Sequence, residues 1–346
     1  MSGRTGDGPL RLILDSIGAL GPVRRPLVVG EASGALARAL MPSGAKPHVW
    51  LREAAEGASI PPRACPEGDG FDAALIRLPK SKDALLLALH AAAAKMVPGG
   101  MIVVFGANAE GIRSVAPRLS EVADVVETLA TGHHARVLIG RRRSAIDGLK
   151  GRLADWRHEG RITLGGSSRP WVSYPGAFAK GGLDDGTAFL IEHLPRLKPG
   201  ARVLDFAAGT GVIAAALTAA NIALDIDMID ADAIALVAAA ENVPTARSMP
   251  GTSLAAVTGR RYDLIVSNPP IHEGILESHK VLERLIADAP AHLRDDGTLL
   301  LVVQRRVAVL PLMRKAFPAA RIVADNGRFT IVSAERADRA GQTPLS

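Results

Sequence analysis

Cysteine is almost absent: Cys65 stands alone in 346 residues. It cannot close an internal disulfide or build a cysteine zinc site, and a reducing cytosol is the simplest compartment. Aromatic residues make up only 3%, too few for a base-stacking platform of the RRM type. The nine histidines show no metal-ligand spacing, so no metal is expected, and His133-His134 reads as a surface pair. The longest uncharged run, Phe206 to Leu224, contains glycines, Thr210, Thr218 and Asn221. A loop followed by a buried helix explains it better than a membrane span. Met1 to Leu20 carries Arg11 and Asp15 within its apolar stretch and has no cleavage pattern, so no signal peptide is expected.

The length allows two domains with full cores, and 48% hydrophobic content excludes wholesale disorder. Net charge is +6, unevenly placed: residues 1–150 carry +5, 151–175 carry +2 and 176–346 carry −1. The excess lies in the front half, as a phosphate-binding surface would place it. An Arg-rich composition inherited from an Ala-, Gly- and Arg-rich proteome gives the same bias.

The back half holds the chemistry. Tyr262-Asp263-Leu264-Ile265-Val266 has the length and β-branched content of a buried strand. Ser267-Asn268-Pro269-Pro270-Ile271 ends it abruptly, because proline fixes φ and donates no ladder hydrogen bond. Open α/β sheets place ligands at such a carboxyl end. There the Asn268 amide oxygen and the Pro269 carbonyl are two rigid acceptors, suited to an –NH2 group on a planar substrate. Upstream, Ala201 to Val212 reads as strand, small-residue turn (Ala207-Ala208-Gly209-Thr210-Gly211) and helix start. Glycine permits positive φ and close backbone approach, and the helix N-terminus behind it attracts negative charge. A second apolar segment ends at Asp230, about 20 residues on, where an acid that holds a ribose diol belongs.

Loop, acid and Asn-Pro-Pro follow the order of the first, second and fourth strands of a doubly wound sheet. This resembles class I S-adenosylmethionine-dependent methyltransferases whose Asn-Pro-Pro-(aromatic) corner serves exocyclic or amide nitrogens. A generic NAD-binding domain fits the glycine spacing less well and has no use for the corner.

The front half echoes the back. Val28 to Gly34 lines up with Val203 to Gly209, Phe71 to Pro79 with Tyr262 to Pro270, and Val97 to Val104 with Arg294 to Leu301. In that alignment Gly30 stands at Asp205, Leu36 at Gly211 and Arg77 at Asn268. An internal duplication follows, with a first copy that kept the fold and lost the chemistry. The expected organisation is a degenerate, RNA-binding or structural domain over 1–145, a basic then Gly/Ser-rich linker over 146–173 with Trp156 and Trp171 pinning it to a surface, a catalytic domain over 174–338 and a disordered tail over 339–346. Each domain is expected to be Rossmann-like, with a seven-stranded, mostly parallel sheet and an antiparallel terminal hairpin. In the back half that hairpin is Arg321-Val323 with Phe329-Ala334.

Tyr174-Pro175-Gly176-Ala177-Phe178-Ala179-Lys180-Gly181-Gly182-Leu183-Asp184-Asp185-Gly186-Thr187 narrows the resemblance. Together with Phe105 to Ser114 and Gly327-Arg328-Phe329, it is similar to the RsmC-type family of bacterial ribosomal RNA guanine-N2 methyltransferases, over essentially the whole chain. The resemblance implies S-adenosyl-L-methionine as cofactor, ribosomal RNA or the small ribosomal subunit as partner, a cytoplasmic location and a monomer. It implies catalytic roles for Asn268, Pro269 and Pro270. Asp205 would hold the loop or the cofactor's amino group, Gly209 and Gly211 would admit its methionine portion, and Asp230 would accept from its ribose. Phe178, Lys180, Ile271 and His272 would face the substrate, His272 otherwise being a turn residue. Three positions depart from the family pattern: Ala207 for the first loop glycine, Ser253 for a carboxylate or amide near the adenine, and Ile271 for the aromatic. They leave open a catalytically decayed RNA-binding or assembly protein. Large-subunit RNA and a protein glutamine are the other substrates such a corner allows.

Overall fold

The computed structural model describes residues 8–177, 182–219, 223–269 and 276–336. The chain divides into two units, the boundary falling between Arg157 and His158.

In the front unit the elements are α1 (Gly8–Ser16), β1 (Pro26–Val29), α2 (Ala35–Leu40), β2 (His48–Trp50), β3 (Phe71–Arg77), α3 (Lys82–Lys95), β4 (Met96–Ala107), α4 (Ala116–Leu119), β5 (Ala123–Gly132) and β6 (Ala135–Arg142). The sheet order is β2-β1-β3-β4-β6-β5, with β6 antiparallel to β4 and β5. Strands covered on both faces read as continuous apolar runs, and Ala73 to Ile76 are fully buried. Ser81 starts α3 by accepting the Ala84 N–H at 3.1 Å. Leu12 and Ile13 of α1 close the core with Val28, Leu36, Leu75, Val103 and Val137.

The back unit begins with β7 (His158–Leu164) and β8 (Ser167–Ser173). It continues through α5 (Asp185–Ile191), β9 (Arg202–Phe206), α6 (Val212–Ala219), β10 (Asp225–Asp230), α7 (Ala233–Asn242), β11 (Arg247–Pro250), β12 (Tyr262–Ser267), α8 (Leu276–His292), β13 (Leu293–Gln304), α9 (Val309–Ala316), β14 (Arg321–Asp325) and β15 (Phe329–Glu335). Its seven-stranded sheet runs β11-β10-β9-β12-β13-β15-β14. The terminal pair β14–β15 is antiparallel, as expected. Chain order reverses between β9 and β12, the switch point where such sheets open a crevice.

Three sequence expectations change. The front sheet has six strands among the described residues, not seven: β2 has no outer neighbour, so nothing corresponds to β11. The segment 146–173 is not simply a linker, because β7 and β8 pair over its second half. Gly165 and Gly166, both at positive φ (56° and 79°), make the two-residue turn that a twisted hairpin prefers. Ile162, Leu164 and Trp171 enter the back core beside Val212 and Ala215, so Trp171 is interior. Trp156, by contrast, lies on the front unit, donating to the Lys150 carbonyl at 3.0 Å and meeting His90 edge-on.

The third change is the register of the duplication. Pro26 pairs with Ala73 and Val203 with Leu264, and Ala73 and Leu264 each lie two residues into matching strands. The front loop therefore shifts by two: Val28 stands at Asp205, Gly30 at Ala207 and Gly34 at Gly211. Backbone conformation agrees, with positive φ at Gly30, Ala207, Gly34 and Gly211 and helices starting at Ala35 and Val212. Arg77 at Asn268 holds. Matching by residue type placed a glycine opposite the acid; strand pairing places a valine there.

Candidate active site

Asn268 directly follows β12, whose last residue, Ser267, is paired with Phe206 at the end of β9. The buried Ser267 hydroxyl donates to the Phe206 carbonyl at 2.6 Å and locks the two strand ends together. Among the described residues the Asn268 carboxamide is held on its nitrogen side only. Nδ2 donates to Thr187 Oγ1 at 2.9 Å and to the Asp184 carboxylate at 3.3 and 3.4 Å. Thr187 passes its own hydroxyl hydrogen to Asp184 Oδ2, so its oxygen is left to accept. Asp184 is meanwhile the N-cap of α5, accepting the N–H groups of Gly186 and Thr187 at 3.0 and 3.2 Å. Oδ1 of Asn268, the acceptor, has no partner among the described residues. Pro269 is buried beside it. Pro270, Ile271, His272, Phe178 and Lys180 lie outside the described residues.

The glycine turn sits beside this corner. Asp230, at the end of β10, accepts the Gly209 N–H at 2.7 Å and the Asp232 N–H at 2.8 Å, one on each carboxylate oxygen. A Cβ at Gly209 would meet nothing within 4 Å, so the turn faces open space there. Gly211 behaves differently. A Cβ on it would stand 3.2 Å from Val243, 3.3 Å from Met228 and 3.4 Å from Ala239. Its smallness thus serves the packing of α7 and β10. Ala207 keeps the glycine conformation at φ 59°, at a cost of roughly 1–2 kcal/mol for an L residue.

Asp205 is fully buried. One oxygen accepts the Ala214 N–H in the first turn of α6 at 3.2 Å, and among the described residues Oδ1 has no partner. Burial pushes its pKa up to about 8; the Ala214 bond opposes this and the nearby Asp230 charge adds to it. An orphaned buried carboxyl oxygen beside a turn with open space marks where a ligand's donor group fits. Ser253 instead caps a short helical turn, Leu254–Val257, accepting the Ala255 N–H at 3.4 Å. The loop before it is tied to the site by the Gly251 N–H on the Asp230 carbonyl at 2.9 Å.

The sequence reading missed several supports. Asn242 accepts the Val172 N–H at 2.8 Å and donates to the Val172 and Thr210 carbonyls at 2.9 and 3.0 Å, tying hairpin, α7 and glycine turn together. Asp185 pairs with Arg328, and the Phe329 ring lies 3.1 Å from where a Gly186 Cβ would be; the Gly-Arg-Phe and Gly-Leu-Asp-x-Gly-Thr segments thus dock on each other. An Asp-x-x-Thr helix start was the one legible signal for Asp184 and Thr187.

The front copy of the site is filled. Glu31 accepts the Ser33 and Leu36 N–H groups at 2.7 and 3.1 Å and satisfies the start of α2 internally. Arg77 grips Glu110 with two hydrogen bonds. Burial works to raise the Glu110 pKa, but the Arg77 and Ala107 bonds hold it below the usual carboxylate range.

Sequence models of the methyltransferase small domain and of its N-terminal partner domain match residues 170–333 and 24–157. With the strand order and the site, they define a class I S-adenosylmethionine-dependent methyltransferase in which the fold occurs twice. A ribosomal RNA small subunit methyltransferase C of Shewanella loihica is 31% identical over 276 residues, 79% of each chain. One from Pseudoalteromonas translucida is 29% identical over 281 residues, 80% of this chain and 81% of its own. The chain belongs to the ribosomal RNA small subunit methyltransferase C family. A T. thermophilus 16S rRNA N2 methyltransferase (RsmC), solved with AdoMet and guanosine, shares the fold across both units, with a TM-score of 0.82 at 20% identity, covering 96% of this chain and 92% of its own.

The described residues fit the cofactor. Asp230 places a carboxylate, an acceptor for hydroxyls, at the end of β10 beside the glycine turn, and among the described residues Asp205 Oδ1 lacks a partner near a turn with room at Gly209.

Proposed function

We propose that the back unit transfers a methyl group from S-adenosyl-L-methionine to the exocyclic N2 of a guanosine in 16S ribosomal RNA. The observation that carries this is the one-sided anchoring of Asn268: its nitrogen is engaged by Thr187 and Asp184, which fixes its oxygen as an acceptor beside the glycine turn. The cofactor supplies a methyl on positively charged sulfur, so its leaving group departs neutral and needs no acid. The protein's task is alignment, which supplies much of the acceleration in such reactions. A guanine amino group is a weak nucleophile because its lone pair is delocalised into the ring. Asn268 Oδ1 and the Pro269 carbonyl would each accept one amino proton, favour a pyramidal nitrogen and aim its lone pair at the methyl carbon. The proton shed by the methylated nitrogen passes to water. Asp230 would hold the ribose, and Asp205 the turn together with the cofactor's amino group. Ile271 would cover the base without stacking it. The partner is then the small subunit or its RNA, met in the cytoplasm by a monomer. Among the described residues no helix is long and apolar enough to cross a membrane. Incubation with labelled cofactor and unmodified 16S RNA or subunits should yield labelled N2-methylguanosine; label in adenosine, in 23S RNA or in protein glutamine would overturn the assignment.

A further inference from the structure

We infer that a basic recess on the front unit binds phosphodiester groups of the RNA substrate; this rests on the RNA-methylating reading above. The recess has a volume of about 700 Å³ and is lined by Arg24, Arg25, Ser43, Gly44, Lys46, Pro47 and His48. It sits at the amino-terminal ends of β1 and β2, the opposite end of these strands from the loop that Glu31 fills. Its cations stand on an ordered frame. The Asp72 carboxylate accepts the backbone N–H groups of Arg24 and Arg25 at 2.7 and 2.9 Å, and the Lys46 N–H donates to the Arg24 carbonyl at 2.8 Å. The Arg25 guanidinium lies 5.4 Å from the centre of the Phe71 ring, and the His48 imidazole lies 5.6 Å from the same ring.

Among the described residues Arg24, Arg25 and Lys46 have no carboxylate within ion-pair distance, whereas Arg63, Arg77, Arg143 and Arg152 of the same unit each do. The three line one recess, and the carboxylate at its base, Asp72, is taken up by the Arg24 and Arg25 backbone N–H groups, so the recess favours an anion. A guanidinium held over a ring is a preordered fork for phosphate oxygens. The ligand contacted is the backbone and not a base, because Phe71 is fully buried and offers no ring face. Contacts of this kind position RNA without reading its sequence.

The test compares the wild type with Arg24→Gln/Arg25→Gln/Lys46→Gln and with a control that removes three paired cations, Arg63→Gln/Arg143→Gln/Arg152→Gln. The dissociation constant for 16S RNA is measured from low to high salt, with KM and kcat for methyl transfer. The recess variant is expected to bind roughly tenfold more weakly near physiological salt, with a log–log salt slope shallower by about 2 to 3. Its KM for RNA should rise while kcat and cofactor affinity stay unchanged, and the control should stay near wild type. An unchanged slope, an equal loss in the control, or lost binding to phosphatidylglycerol vesicles with RNA binding intact would overturn the inference. Failure of the wild type to form N2-methylguanosine would instead overturn the reading beneath it.

Discussion

Asn268 is a carboxamide that works only one way round. With Nδ2 on Thr187 and Asp184, its oxygen is left as the acceptor that the proposed transfer to an amine needs; flipped, it would present a donor to a donor. Asp184 sets this orientation because a carboxylate can only accept. Asp184→Asn keeps an equally good helix cap but lets residue 184 donate, so Asn268 gains a flipped state. We expect kcat to fall roughly tenfold or more, as misplacement at a reacting centre does, with cofactor affinity and melting temperature unchanged. Parallel losses in all three would reduce Asp184 to a cap. Asp205 makes a second prediction. Below its ordinary value of 3.8 the carboxyl is neutral whether folded or not, so pH has no effect through it; from there to about 8 the unfolded chain ionises while the buried group stays protonated. The cofactor-free protein should therefore lose stability as pH rises through this window, by up to about 1.4 kcal/mol per unit. Asp205→Asn should flatten that dependence in denaturant unfolding between pH 5 and 8, and superimposable pH profiles would contradict the burial argument. Asp205 itself was legible in the sequence from its place before the glycine turn. Its missing partner was not, because that depends on how tightly α6 closes over it.

At the scale of elements, strands that are continuous apolar runs, β3, β9 and β12, were readable, and so was the terminal hairpin. The β7–β8 hairpin was not. Gly165-Gly166 has the composition of a flexible spacer, and only two flanking strands turn it into a tight turn. The basic residues of this stretch hid the alternation that puts Ile162 and Leu164 inward. Trp171, 4% exposed within the back core, is the element's anchor. Trp171→Ala should destabilise the back unit by about 3–5 kcal/mol, measured by denaturant unfolding. A change below about 1 kcal/mol, within the range of surface substitutions, would show the hairpin to be an appendage after all.

Across the whole molecule, the duplication was visible in residue order but its register was not. Small residues recur through both loops and align equally well two positions apart, whereas strand pairing admits one answer. The corrected register supplies the grounds for proposing that the front copy is silent: Val28 stands at the buried acid, Glu31 fills the turn from within, and the Arg77–Glu110 pair occupies the acceptor corner. Calorimetry should accordingly find one S-adenosylmethionine bound per chain, and two would contradict a closed front loop. The family was legible, as was the Asn-Pro-Pro corner proposed for catalysis, because chemistry restricts residue types more tightly than packing does; the reach of Asp184 and Thr187 to the distant Asn268, and the Asn242 ties, were not. The most direct test is methyl transfer to 16S RNA by Asn268→Ala, read beside its cofactor affinity. The account predicts wild-type affinity with turnover reduced roughly 100-fold or more, the scale of losing one aligned polar group at a transition state. Turnover near wild type would contradict it.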